Sequence, residues 1–241
     1  MLRFRTGTDD FAKLIDQGGY FVDKSLLIKS VIEGNDLILL PRPRRFGKTL
    51  NMTMLRYFFE KSEQDKSYLF ENLKIAADAE CMAHQGQYPV IYLSLKDVKG
   101  GCWKESYDQL VKKNSMIYRE FEYILDSLQP EEQVSFKMIL HRKPSGATLK
   151  NSLADLISYL YKYHGKPVVV IVDEYDSPVI EAWKNGYYDE MIDFMRAWFG
   201  GGLKHENGAA LYRAVVTGIL RVTKESLFSG LNNLDVASVI Q

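Results

Sequence analysis

The run Val168-Val169-Val170-Ile171-Val172 limits what this chain can fold into more than any other stretch. Consecutive β-branched aliphatic residues have no polar face, so the run cannot lie at a surface. It predicts a strand buried on both faces, and such strands belong to parallel sheets covered by helices on each side. The rest of the chain repeats the pattern, with short apolar runs at 37–40, 89–95 and 211–217 and a candidate last strand at 234–240. Between them, apolar residues recur at helical spacing over 49–60, 103–128, 148–163 and 187–199. His164-Gly165 followed by Pro167 reads as the stop of the third of these helices. Gly200-Gly201-Gly202 reads as a flexible connection inside one domain.

Composition excludes several function classes. The 31 Lys and Arg balance 31 Asp and Glu, which removes the overall attraction of a nucleic-acid or membrane-surface protein. Cys81 and Cys102 are too few for a disulfide framework, and four scattered histidines offer no metal-ligand spacing. The start of the chain lacks the apolar core of a signal peptide, and no apolar run approaches a membrane span. The expectation is a cytoplasmic protein.

Chemistry enters at Gly47-Lys48-Thr49, between a strand and a helix, which is the layout of a phosphate-binding loop. Gly47 lets the backbone approach an anionic oxygen, and the amides running on to Leu50 point at it. Lys48 would reach the β- and γ-phosphates, and the Thr49 hydroxyl would ligate Mg2+. The usual loop has glycine at position 42; here Arg42 stands between Pro41 and Pro43, which offer no N–H. The amide cradle must then come from Arg44, Arg45 and Phe46, close to Gly47. Arg42, Arg44, Arg45 and Lys48 crowd positive charge that an anion would relieve; the alternative is a solvated basic turn.

The buried run ends in Asp173-Glu174, a Walker B arrangement in which Asp173 holds the metal and Glu174 polarises a water. Two carboxylates ending a buried strand need cations or donors nearby. Their alternative role is to open a helix. Thr217, ending the 211–217 run, is a candidate sensor of the γ-phosphate, and Arg221 is a candidate charge-neutralising residue. Asp176 and Pro178 read as turn and helix-start residues, and the Asp97/Lys99 pair reads as chance.

The stretch Arg42-Pro43-Arg44-Arg45-Phe46-Gly47-Lys48-Thr49 resembles the loop of the AAA-ATPase-like family, in which an Arg-Pro-Arg-Arg-Phe run replaces the usual glycine. Segments 20–25, 173–178 and Thr217-Gly218 with 228–233 are similar to that family's other landmarks, in the same order. The resemblance implies an α/β P-loop NTPase, a three-layer sandwich whose mainly parallel five-stranded sheet has the order 5-1-4-3-2. It implies one domain over 1–241, ATP and Mg2+ as ligands, and a nucleotide contact from Asp23 or Lys24. It leaves a homo-oligomer open and points away from membranes. Family members commonly continue into a PD-(D/E)XK nuclease-like domain, so the chain is expected to be the N-terminal part of a longer protein. Nucleic acid would be met only through that domain. The expected activity is Mg-dependent ATP hydrolysis. Its alternative is an ATP-dependent switch or scaffold with little turnover; phosphate transfer to a small substrate fits Glu174 less well.

Overall fold

A computed structural model describes residues 8–43, 45–203, 209–219 and 234–236. Four strands carry the sheet: β1 (Leu37–Pro41), β2 (Val90–Ser94), β3 (Val168–Asp173) and β4 (Leu211–Gly218). All their ladders are parallel, in the order β1-β4-β3-β2. A three-residue β5 (Leu234–Val236) pairs with the free edge of β1. The α/β class and the position of β4 between β1 and β3 are as expected. The five-stranded sheet is not: four strands carry the sheet in the order 1-4-3-2, and of the candidate last strand at 234–240 only Leu234–Val236, beside β1, lies within the described residues.

Side chains alternate across β1 to β4 between two apolar cores. Leu37, Leu39, Val168, Val170 and Val172 face one core, and Ile38, Leu40, Val169 and Ile171 face the other. The second core is closed by α1 (Phe11–Asp16), α2 (Leu26–Glu33), α3 (Lys48–Phe59) and α4 (Ala79–Met82). The first is closed by α5 (Trp103–Glu120), α6 (Pro130–Leu140), α7 (Gly146–His164), α8 (Ser177–Asn185) and α9 (Tyr188–Leu203). Both faces of β3 are therefore covered, as its composition requires. The 103–128 stripe divides into α5 and a 3-10 segment, Glu122–Ser127. Helix α7 starts at a Ser145 cap and ends on Gly165 in the left-handed region, φ 60°.

The glycine triplet corrects the sequence reading. Residues 200–202 are not a connection; they continue α9 to Leu203. A Cβ on Gly202 would lie 2.6 Å from Leu153 Cγ on α7. Glycine costs a helix about 1 kcal/mol relative to alanine, and here it lets α9 close onto α7, which offsets that cost.

Where α5, α7 and α9 meet, a polar cluster is buried and paired. Trp198 Nε1 donates to Ser152 Oγ at 3.0 Å. Ser152 gives its own proton to Asn114 Oδ1 (2.8 Å) or to the Leu149 carbonyl (2.7 Å). Asn114 Nδ2 donates to the Leu110 carbonyl at 2.9 Å, and Tyr118 donates to the Ser152 carbonyl at 2.7 Å. Among the described residues no helix is long and apolar enough to cross a membrane.

Candidate nucleotide site

Parallel strands bring their carboxyl ends to one edge, where crevices bind ligands in open α/β sheets. After β1, the Arg42 amide donates to the Gly218 carbonyl at 2.9 Å, carrying the β1–β4 ladder past Pro41. The chain then turns through Arg45 (φ 68°) and Gly47 (φ 73°). Glycine adopts that conformation freely, whereas arginine there stores about 1–2 kcal/mol. Gly47 caps α3 without a side chain, so the cap residue itself leaves the first amides of that helix without a side-chain acceptor. A Cβ at Gly47 would meet nothing within 4 Å, so the left-handed backbone there, not crowding, is what favours glycine. Lys48 is buried, and its Nζ donates to the carbonyls of Arg42 (3.1 Å) and Pro43 (3.5 Å).

The phosphate-loop and strand-end motifs meet directly. Thr49 Oγ1 donates to Asp173 Oδ2 at 2.7 Å across 124 residues of chain. Asp173 is only 1% exposed, and its other oxygen, Oδ1, has no hydrogen-bond partner among the described residues. Gln85 Nε2, in a smaller hollow elsewhere, is the other such buried atom among the described residues. Burial raises the Asp173 carboxyl above its ordinary range; the Thr49 hydroxyl and the Lys48 charge oppose the rise, and the Glu174 charge adds to it.

Glu174 follows in the left-handed region, φ 53°, and accepts a hydrogen bond from Ser177 Oγ at 3.1 Å. A non-glycine residue held there is a strained position fixed by its surroundings. Asp173 stands in register with Thr217 on β4 and Ser94 on β2. Thr217 is buried, and its hydroxyl donates to the Leu40 carbonyl at 2.7 Å, so reaching a phosphate as a donor would need that bond to break. Asp176 and Pro178 are helix-start residues, as expected; Asp176 Oδ2 also accepts from the Ile219 amide at 2.8 Å.

An open cleft of about 720 Å³ lies at this edge of the sheet. Arg45, Gly47, Lys48, Thr49, Leu50 and Glu174 line it, joined by Thr8, Asp9, Lys96, Lys99, Ile219 and four residues of α8: Ser177, Ile180, Glu181 and Lys184. Lys96 and Lys99 went unrecognised as site residues; the available signal was their position just past a strand end. Arg42 and Phe46 do not line the cleft, and Phe46 is 57% exposed. Arg44 and Arg221 lie outside the described residues, as do 228–233. The expected nucleotide contact from 20–25 is not seen in the cleft lining. Asp23 instead accepts from the Ser25 and Lys74 amides, each at 2.8 Å, and Ser25 Oγ accepts from the Ile75 amide at 3.1 Å. That segment clasps the 3-10 turn Lys74–Ala77.

The donor set fits magnesium. A carboxylate oxygen without a partner beside a threonine hydroxyl offers hard oxygen ligands, and Mg2+ takes one or two protein oxygens plus phosphates and water. No group of three or more His, Cys, Asp or Glu among the described residues forms a cage that would hold a metal unaided.

Residues 5–228 match the AAA-ATPase-like family, described as "Predicted AAA-ATPase". The chain is also 29% identical over 235 residues to an Azotobacter chroococcum mcd 1 protein printed as "Uncharacterized protein in vnfD 5'region". That alignment takes in 97% of this chain and 40% of the relative, so the chain spans well under half of that protein's length. No solved structure matches the chain.

Proposed function

The chain belongs to the AAA-ATPase-like family, and on that premise we propose that it binds ATP with Mg2+ and hydrolyses it in the cleft at the carboxyl edge of the sheet. The observation that carries the reading is the Thr49–Asp173 hydrogen bond beside an unpartnered Asp173 oxygen. It joins the phosphate loop to a buried carboxylate whose second oxygen has no hydrogen-bond partner among the described residues.

In this reading the amides from Arg44 through Leu50, those of Arg45 and Phe46 among them, cradle the phosphates. Lys48 exchanges its two carbonyl acceptors for phosphate oxygens. Thr49 and Asp173 hold magnesium, which would neutralise phosphate charge. Glu174, oriented by Ser177, takes the proton of the attacking water. Thr217 and Arg221 complete the proposed set around the γ-phosphate. We propose further that the unit drives or regulates a C-terminal nuclease-like domain; the family resemblance and the 40% span of the relative support this. A second reading, an ATP-dependent switch with little turnover, is favoured by the commitment of the Thr217 proton to Leu40.

Calorimetric titration with ATP and Mg2+ tests binding, and Lys48→Ala should abolish it. Unchanged ATP affinity in that variant would sink the assignment. Steady-state phosphate release by the intact chain separates the hydrolase from the switch.

A further inference from the structure

We infer that Lys96 and Lys99 form the γ-phosphate side of this cleft and make it prefer a triphosphate to a diphosphate. The inference rests on the nucleotide reading above. Both lysines line the cleft with Lys48, Thr49 and Glu174. The strand order β1-β4-β3-β2 puts the phosphate loop on one side of Asp173 and these lysines on the other. The Leu95 amide donates to the Asp173 carbonyl at 3.0 Å, which ties the end of β2 to the end of β3 and starts Lys96 just past the Asp173–Glu174 pair.

The loop that carries them is built to hold position. Leu95 and Val98 are fully buried, and the Val98 amide donates to the Leu95 carbonyl at 3.1 Å, closing a turn around Lys96 and Asp97. The Gly100 carbonyl accepts from Tyr187 OH at 2.6 Å, and that hydroxyl also meets Ser106 Oγ at 2.8 Å inside the protein. The Gly101 amide donates to Glu105 at 2.8 Å. A backbone pinned at both ends fixes where the two lysines start at the cleft wall, and their flexible stems carry the ammonium groups from there.

Charge gives that arrangement a purpose. Among the described residues neither Lys96 nor Lys99 forms an ion pair, while Asp97 between them faces Lys113 at 3.9 Å. Five residues lining the cleft are cations and three are carboxylates. The cations outnumber the carboxylates by two, so the cleft carries a surplus of positive charge that an added anion relieves. The phosphate loop holds the β-phosphate, so the terminal phosphate is the anion that extends toward Glu174 and the lysines. Loss of both lysines should therefore weaken ATP and leave ADP alone.

The test is calorimetry with ATP and ADP, each with Mg2+, on the wild-type chain and on Lys96→Ala/Lys99→Ala. Both positions are exposed, so melting temperature should hold. ATP affinity should fall about 10- to 100-fold, the weight of charged hydrogen bonds, with ADP affinity unchanged. Lys96→Arg/Lys99→Arg should keep the preference. Unchanged ATP affinity, or equal losses for ATP and ADP, overturns this inference and leaves the nucleotide reading standing. A wild-type chain that binds neither overturns both.

Discussion

Two buried polar clusters differ in what they leave unpaired. Between α5, α7 and α9, Trp198 Nε1, both amide groups of the Asn114 side chain and the Tyr118 hydroxyl have partners, with Ser152 at the centre. At the end of β3, Asp173 has one oxygen paired with Thr49, while the other has no hydrogen-bond partner among the described residues. A buried polar group without a partner costs about 1–3 kcal/mol, and more if charged. The helix cluster is complete within the chain and serves packing. The strand-end cluster is incomplete among the described residues, which fits a site that receives its last partner from a ligand.

The comparison can be broken or sharpened by substitution, and the largest effect is expected beside Asp173. Glu174→Gln should keep ATP binding and lower turnover by about 10²–10⁴-fold, the usual weight of a general base. Phosphate release at the wild-type rate would remove Glu174 from the chemistry. Ser152→Ala should do the opposite. It strands Trp198 Nε1 and should cost about 1–3 kcal/mol in urea unfolding, with ATP affinity untouched. If ATP affinity fell as well, the two clusters would be coupled.

The smallest effect is expected from Asp173→Asn. The native Asp173 carboxyl is raised above its ordinary value of 3.8 because burial disfavours its charge. The native state thus holds the proton more tightly than the unfolded state, so stability falls as pH rises from about 3.8 through the raised value. At neutral pH, without metal, Asp173→Asn should therefore melt no lower than wild type, and any gap should close toward pH 4. Mg2+ with ATP should raise the wild-type melting temperature and leave the variant little changed. Equal stabilisation of both proteins would assign the metal to other ligands.

Much of the scaffold was legible in sequence because its determinants are local. Five β-branched residues in a row can only be a doubly covered strand, and β3 is one. Gly47-Lys48-Thr49 reads as the start of a helix after a strand, and α3 begins at Lys48. Short helices escaped because α1 has six residues and α2 has eight, too few for a period of 3.6 to repeat clearly. The hydroxyl of Thr217 was visible in sequence, but the carbonyl that takes its proton, on Leu40, is 177 residues away.

The sequence by itself determined the α/β class of fold and set a phosphate loop and a carboxylate pair each at the end of an apolar strand, while the order of the strands was implied by the family resemblance. The class and the two motifs depend on composition and spacing within a few residues. Tertiary structure alone decided that the glycine triplet is helical, because Leu153 leaves no space for a Cβ at Gly202. It also turned Asp23 toward the amides of Ser25 and Lys74 and set Lys96 and Lys99 on the cleft wall. Each of these outcomes depends on which distant atoms are brought within a few ångströms, and local propensity carries no record of that.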